Sequence, residues 1–242
     1  KTIVKNNRKF FKFKFLVCPF YSSGLFNRLF NCFWAFFNQG EINHISGDIN
    51  FISIFLNKNR TINTFHDCYN LRQFVGIKKI IYKYFWFSLP IYKSKYITAV
   101  SSFTKNEIKN IFKTKKKINV ISNFLPHGNY KLKKKINKNK ILIIGTTKNK
   151  NLDRILEVIK SLEVKIIILG KINIEQQKFL KENKIKFRNY IDISEKKLID
   201  IYNSSMLLLF PSLYEGFGLP IIEAQRMHVP VITSNISPMK EI

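Results

Sequence analysis

The second half of the chain alternates between two hydrophobic periods, and few architectures satisfy both. Short apolar runs closed by glycine or a polar residue read as buried strands: KILIIG (140–145), VKIIILG (164–170), IKFRNYI (185–191), MLLLFPS (206–212) and VPVITS (229–234). The segments between them carry the helical period. NLDRILEVIKSL (151–162) sets Leu152, Ile155, Leu156, Ile159 and Leu162 on one face, and IEQQKFLKENK (174–184) is helical. SEKKLIDIYNSS (194–205) opens on Ser194, and LPIIEAQRM (219–227) has Pro220 at the first helical position. Strand and helix repeated with short loops predict a parallel sheet covered on both faces, a Rossmann-like domain.

The first half repeats the theme less regularly. FKFLVCPF (13–20), INHISGD (42–48), RTINTFHD (60–67), KYITAVS (95–101) and INVISNF (118–124) read as strands, with INFISIFLN and SFTKNEIKNIF as helices between them. LPHGNYKLKKKINKNK (125–140) combines Pro, Gly and a lysine run with little apolar content, which marks a linker. The expected organisation is a domain over 1–124, a linker over 125–139 and a second domain over 140–242. Two α/β domains joined this way leave a cleft, a preferred place for a ligand.

Composition narrows the classes. A chain of 242 residues with 45% hydrophobic residues is globular rather than disordered. The net charge of +27 is extreme. Nucleic-acid binders carry such charge, as do proteins that rest on anionic membranes. A chain from an AT-rich genome also carries it, and lysines scattered through every segment fit that composition best. Cys18, Cys32 and Cys68 follow no metal or disulfide spacing and read as reduced thiols of a cytosolic protein. No uncharged apolar run reaches the ~18 residues of a membrane span. KTIVKNNRKFFKFKF is basic without the apolar core of a signal peptide, and the absence of a first Met suggests a fragment.

The stretch FPSLYEGFGLPIIEAQ (210–225) concentrates the chemistry. It lies between a predicted strand and a predicted helix, where open parallel sheets bind ligands. Gly216 and Gly218 allow a tight turn and close approach, and the helix that follows offers backbone N–H groups to an anion. Glu215 and Glu223 can accept hydrogen bonds from polyhydroxyl compounds. Acidic residues are also favoured at helix N-termini by the dipole alone, so Glu223 taken singly reads as structural.

The whole string, SLYEGFGLPIIEA followed by PVITSNIS, resembles the Glu-x7-Glu signature of retaining glycosyltransferases of family 4, which have the GT-B fold. Other segments fall in the family's order: INHISGDINFISIFL, TINTFHDCYNL, ITAVSSFTKNEI with VISNF, and IIGTTKNKNLDRIL. The resemblance implies two Rossmann-like domains facing a cleft, the first on the acceptor side and the second, left incomplete at Ile242, on the nucleotide-sugar side. Glu215 matches the glutamate on the donor sugar and Glu223 the one on the ribose. Gly216, Phe217, Gly218 and Leu219 match the turn that holds sugar and diphosphate. Gly145 and Thr147 fall in the opening of the donor domain. Lys150 matches the lysine on the diphosphate, against a plain reading as a solvated loop lysine. His66 matches a histidine facing the donor sugar, against a plain reading as a strand-end histidine. Gly47 and Asp48 fall on the acceptor side, and Asp67 reads as structural.

The implied reaction moves a hexose, with mannose favoured, from a nucleoside-diphosphate sugar such as GDP-mannose to a glycan or lipid-linked acceptor, with retention. The setting implied is assembly of O-antigen, capsule or exopolysaccharide in a bacterium. No cofactor is implied beyond the co-substrate, and no Asp-x-Asp pair that would hold a metal is present. No second carboxylate stands as a nucleophile, which leaves front-face attack with the leaving phosphate as base as the commoner mechanism. The basic, aromatic KKIIYKYFWFSLPIYKSKY (78–96) reads either as a packed helix with a basic outer face or as a peripheral contact with an anionic inner leaflet.

The chain departs from the family in three places. Thr146 and Thr147 stand where an arginine often joins the lysine, leaving Lys148 to share its load. Arg226-Met227-His228 replaces a helix-ending glycine, so a left-handed residue at His228 would be strained. The glycine-rich loop after the first strand has only YSSGLF as a counterpart. The rival readings are a truncated inactive relic, a nucleotide-sugar-binding module without catalysis, and, more remotely, a basic nucleic-acid-binding protein. The last would need no Glu215.

Overall fold

A computed structural model describes residues 12–125 and 139–242. Most of the expected linker therefore lies outside the described residues. The chain divides into two compact units, one within Lys1–Pro126 and the other within His127–Ile242.

The first unit is built on four parallel strands in sequential order: β1 (Asn43–Ser46), β2 (Thr61–Phe65), β3 (Tyr96–Ala99) and β4 (Ile118–Val120). Phe65, Ile97, Ala99, Ile108 and Ile118 make its core, with Phe65 stacked on Phe87 at 5.3 Å between ring centres. The predicted helix over INFISIFLN is a 3-10 helix, Asn50–Phe55. SFTKNEIKNIF forms α5 (Ser102–Phe112), capped by the Ser101 side chain, which accepts from the Thr104 N–H.

Two features of this unit depart from the sequence reading. Residues 13–20, expected as a strand, form none. Alternation alone does not make a strand without a neighbour to complete its hydrogen bonds, and Phe15 and Val17 stay exposed. A helix follows instead, α1 (Leu25–Phe37), and its amphipathicity is turned outward. Asn31 is fully buried, its side chain bonded to both the N–H and the C=O of Phe20. Arg28 donates to Ser22 O and lies 4.7 Å over the Trp86 ring. Leu25, Phe26, Leu29, Phe30, Phe33, Phe36 and Phe37 are exposed, Phe26 by 86%.

The 78–96 stretch is helical in three pieces after the short α2 (Tyr69–Gln73): α3 (Gly76–Lys83), a π turn (Tyr84–Ser88) and α4 (Leu89–Lys93). Pro90 has no N–H for the carbonyl four residues back, and the turn before it widens, so Leu89 N–H reaches five residues back to Tyr84 O. Trp86 and Phe87 pack inward. The outer face mixes Lys78 and Lys79 with exposed Ile77, Ile80 and Ile81. Among the described residues no helix is long and apolar enough to cross a membrane.

The second unit follows the sequence reading closely. Its strands are β5 (Lys140–Ile144), β6 (Lys165–Leu169), β7 (Lys186–Tyr190), β8 (Leu207–Phe210) and β9 (Val231–Thr233), and its helices α6 (Leu152–Ile159), α7 (Ile174–Glu182), α8 (Glu195–Asn203) and α9 (Leu219–Arg226). The strands are parallel in the order β7-β6-β5-β8-β9. One core layer sits under α6 and α7 (Ile141, Ile143, Leu152, Leu156, Leu180). The other sits under α8 and α9 (Leu142, Tyr202, Leu208, Ile221, Ala224). The odd and even residues of β5 thus feed opposite layers, which is why its sequence is apolar throughout.

Helix α9 closes with His228 N–H on Gln225 O at 3.0 Å and Val229 N–H on Ala224 O at 2.9 Å. That pair of bonds needs a left-handed residue after the helix, and His228 takes it at φ 53°. A Cβ costs energy there that glycine avoids. His228→Gly is expected to raise stability by up to about 1 kcal/mol, less the entropy the unfolded chain regains, measured by chemical denaturation.

Candidate functional site

In the second unit the chain builds β5, β6 and β7 outward in one direction. It then returns to the other side of β5 for β8 and β9. The loops after β5 and β8 therefore diverge at the point where strand order reverses, the crevice that open α/β sheets offer to ligands. Both loops carry predicted site residues, and they are tied to each other. Leu213 N–H donates to Asn149 O at 2.7 Å, and Asn149 Nδ2 donates to Tyr214 O at 3.0 Å. Asn151, left-handed at φ 61°, donates to Pro211 O at 3.3 Å. Thr147 Oγ1 donates to Asn149 Oδ1 at 2.7 Å.

The clamp brings Lys150 to Glu215. Nζ lies 2.6 Å from Oε1, with the two side chains only 20% and 12% exposed. The ammonium also sits 4.8 Å over the Phe210 ring, whose face adds to its stabilisation. The lysine stem runs across Gly145, at φ 90°, where a Cβ would meet Lys150 Cγ at 2.6 Å and Cδ and Cε at 2.9 Å. Glycine at 145 therefore serves two needs, a left-handed turn and a path for Lys150. Lys148 is exposed.

At the other end of the 210–225 stretch, Gly218 precedes α9 at φ 118°. Its missing side chain leaves room for Ile221 and Ile242, which a Cβ would meet at 3.3 and 3.0 Å. Leu219 and Pro220 open the helix, so the positive end of its dipole faces the Glu215 turn. Glu223, one turn in, is partly buried beneath it. Its Oε2 accepts from the hydroxyl of fully buried Tyr202 at 2.7 Å. Burial pushes the Glu223 carboxyl above its ordinary value, and the Tyr202 hydrogen bond partly offsets this.

In the first unit His66 follows β2, and its Nε2 is buried with no hydrogen-bond partner among the described residues. Burial holds its pKa down, against the pull of Asp67, so the ring is neutral near pH 7. Asp67 itself accepts from Tyr69 N–H at 2.8 Å and shapes the turn. Gly47, at φ 148°, leads into Asp48. The Asp48 carboxylate accepts from Tyr82 OH at 3.2 Å and Asn70 Nδ2 at 3.3 Å. Burial raises its pKa, and the Tyr82 bond opposes that rise.

Lys150, Glu215, Gly145 and Thr147 thus come together around one turn, Gly218, Leu219 and Glu223 line the adjoining helix, and His66, Gly47 and Asp48 belong to the other unit. Tyr202, Asn149 and Asn151 escaped the sequence reading. Tyr202 shares the helical spacing of the core positions Leu198 and Ile201, and the two asparagines sit in an asparagine-rich segment. A cavity of about 350 Å³ beside α8, lined by Lys140, Arg188, Lys197 and neighbours, contains none of the predicted site residues.

Two stability measurements follow from this geometry. Gly145→Ala is expected to cost more than the about 1–2 kcal/mol of its left-handed backbone, because the Lys150 stem blocks a Cβ, and that excess should disappear in a Lys150→Ala background. Glu223 is the opposite case. Its folded pKa lies above the ordinary 4.5, so its ionisation favours the unfolded chain. That cost is full above the folded pKa and absent below the unfolded one. Glu223→Gln should therefore raise the melting temperature at neutral pH, and the gain should fade as the pH drops to about 4.5.

Residues 129–242 match the family described as Glycosyl transferases group 1. Over 200 residues the chain is 30% identical to the O-antigen chain mannosyltransferase RfbU of Salmonella typhimurium, an alignment that takes in 76% of this chain and 54% of that protein. The chain thus spans about half that relative's length. Among solved structures, Anabaena HepE in complex with UDP and glucose superposes with a TM-score of 0.69 at 14% identity, covering 89% of this chain and 64% of that one. A variant of S. aureus TarM in complex with fondaparinux, alpha-GlcNAc-glycerol and UDP gives 0.69 at 19%, covering 88% and 46%. At those identities the superpositions speak for the fold, the α/β architecture of GT-B glycosyltransferases. Residues 129–242, which hold the clamp between Lys150 and Glu215, are the part of the chain that is similar to the glycosyl transferases group 1 family.

Proposed function

We propose that this protein transfers a hexose, with mannose favoured, from a nucleoside-diphosphate sugar to a glycan or lipid-linked acceptor, with retention of configuration, in the assembly of a surface polysaccharide. The observation that carries the reading is the 2.6 Å pair between Lys150 and Glu215, at the point where strand order reverses and beside the N-terminus of α9. The likeness to RfbU supports mannose, and with it GDP-mannose as the donor.

On this reading the diphosphate takes Lys150 from Glu215 and receives N–H groups of the 216–219 turn. As the glycosidic bond breaks, negative charge grows on the leaving phosphate, and this fixed positive charge stabilises it. Glu215, released from the ammonium, accepts hydrogen bonds from the sugar hydroxyls. Glu223 accepts from the ribose diol. His66, neutral near pH 7, is the first unit's candidate for a sugar hydroxyl, which it can meet without adding charge. Gly47 and Asp48 serve the acceptor. Attack on the same face as departure, with the leaving phosphate as base, needs no carboxylate nucleophile. The basic and apolar outer face of α3 suits a peripheral contact with an anionic inner leaflet during encounter with a lipid-linked acceptor.

Titration calorimetry with GDP, UDP and ADP tests the reading, beside Lys150→Ala and Glu223→Ala. One nucleotide should bind the wild type, and each variant should weaken it on the order of tenfold or more, as expected for losing a charged hydrogen-bond partner. In transfer assays Lys150→Ala should lower kcat by ~100- to 1000-fold. A folded chain that binds none of the three would overturn the proposal. Binding with no transfer to any glycan acceptor would reduce it to a nucleotide-sugar-binding module.

A further inference from the structure

Glu223 keeps a carboxylate in a place that resists charge. It is partly buried on α9, and burial is the largest influence on its protonation. The neighbours on which α9 lies supply little to hold that charge. Strands β8 and β9 carry no titratable side chain. Arg226 on α9 itself, Lys240 and Glu241 in the C-terminal turn, and the charged residues of α8 exert no resolved influence on it. The group that does is Tyr202. Its side chain is fully buried in the α8–α9 layer, and its hydroxyl lies 2.7 Å from Glu223 Oε2 and 3.3 Å from Pro220 O. Pro220 has no N–H, and its carbonyl lies in the first turn of α9. One hydroxyl therefore touches both the carboxylate and the start of the helix that presents it. Oε1 of Glu223 has no partner among the described residues and remains able to accept.

We propose that Tyr202 is a positioning residue for nucleotide binding: its buried hydroxyl fixes Oε2 of Glu223 and leaves Oε1 to receive the ribose diol of a nucleoside diphosphate. The proposal rests on the reading of Glu223 as the ribose-binding carboxylate and adds the residue that makes it usable. The ionised carboxylate accepts from a diol and from Tyr202 with both oxygens and more strongly than the protonated acid, which turns one oxygen into a donor. Nucleotide affinity must then fall as the pH drops through the carboxyl titration. Removing the Tyr202 hydroxyl withdraws a hydrogen bond that favours the charged form, and moves that fall to higher pH.

The test is calorimetric affinity for GDP and for UDP from pH 5 to pH 8, on wild type, Tyr202→Phe, Glu223→Gln and the double variant, with the Glu223 carboxyl titrated by carbon NMR in wild type and Tyr202→Phe. Tyr202→Phe should weaken binding about tenfold at neutral pH. Its acid limb and its carboxyl titration should both move up. The phenylalanine should make no further difference once Glu223 is glutamine, which a merely structural tyrosine would not obey. Equal affinity and an unshifted carboxyl in Tyr202→Phe would overturn the inference while leaving the proposed function standing. So would an equal loss in the glutamine background. A wild type that binds neither nucleotide would sink the proposed function, and the inference with it.

Discussion

The reversal of strand order at β5 governs what the second unit can do. Parallel strands joined by right-handed crossovers place every loop that follows a strand at one end of the sheet. Neighbouring strands built in the same direction send their loops alongside each other. Only where the direction changes do two loops part, and there the chain must supply its own ties across the gap. Here the ties are Asn149, Asn151 and the lysine–glutamate pair, reaching from one loop to residues some sixty positions later. The crevice is a by-product of connectivity, and the side chains that line it are free to serve a ligand because the sheet below is already held by its own core.

The lysine–glutamate pair and Glu223 represent two ways of keeping charge in a half-buried place. The first neutralises it internally. Removing either partner leaves an uncompensated charge, which for a buried pair is more costly than removing both. The second retains a carboxylate with a hydroxyl as its hydrogen-bond partner. Its burial works against ionisation, and stability is lost in consequence. Such concessions are common where a protein must meet a charged or polar ligand, since a site already satisfied by its own groups has little left to offer.

How much of this was legible varies by element. The strands and helices of the second unit could be read because each apolar run is short, uninterrupted and closed by Gly or a cap. Glu215 and Glu223 stood out because a lysine-rich chain has few acidic residues, and Gly218 because it punctuates the turn between them. His228 was legible as a conditional strain, and its left-handed backbone was found. The partner of Glu223 was not. A tyrosine at core spacing gives no sign that its hydroxyl reaches Glu223 while its ring fills the core. The strand expected over 13–20 failed for the opposite reason, and α1 after it went unread. A two-residue alternation suggested a strand where none formed, and α1 buries Asn31 while exposing phenylalanines, against the polarity a reader expects.

That inverted helix has a consequence for the material itself. The chain carries +27, and like charge opposes contact between copies. Repulsion reaches only about 8 Å at physiological ionic strength and about 3 Å at 1 M. The attraction between phenylalanine stripes is not screened at all. For this chain added salt weakens the repulsion and leaves the exposed phenylalanines of α1 as apolar surface that salt does not screen.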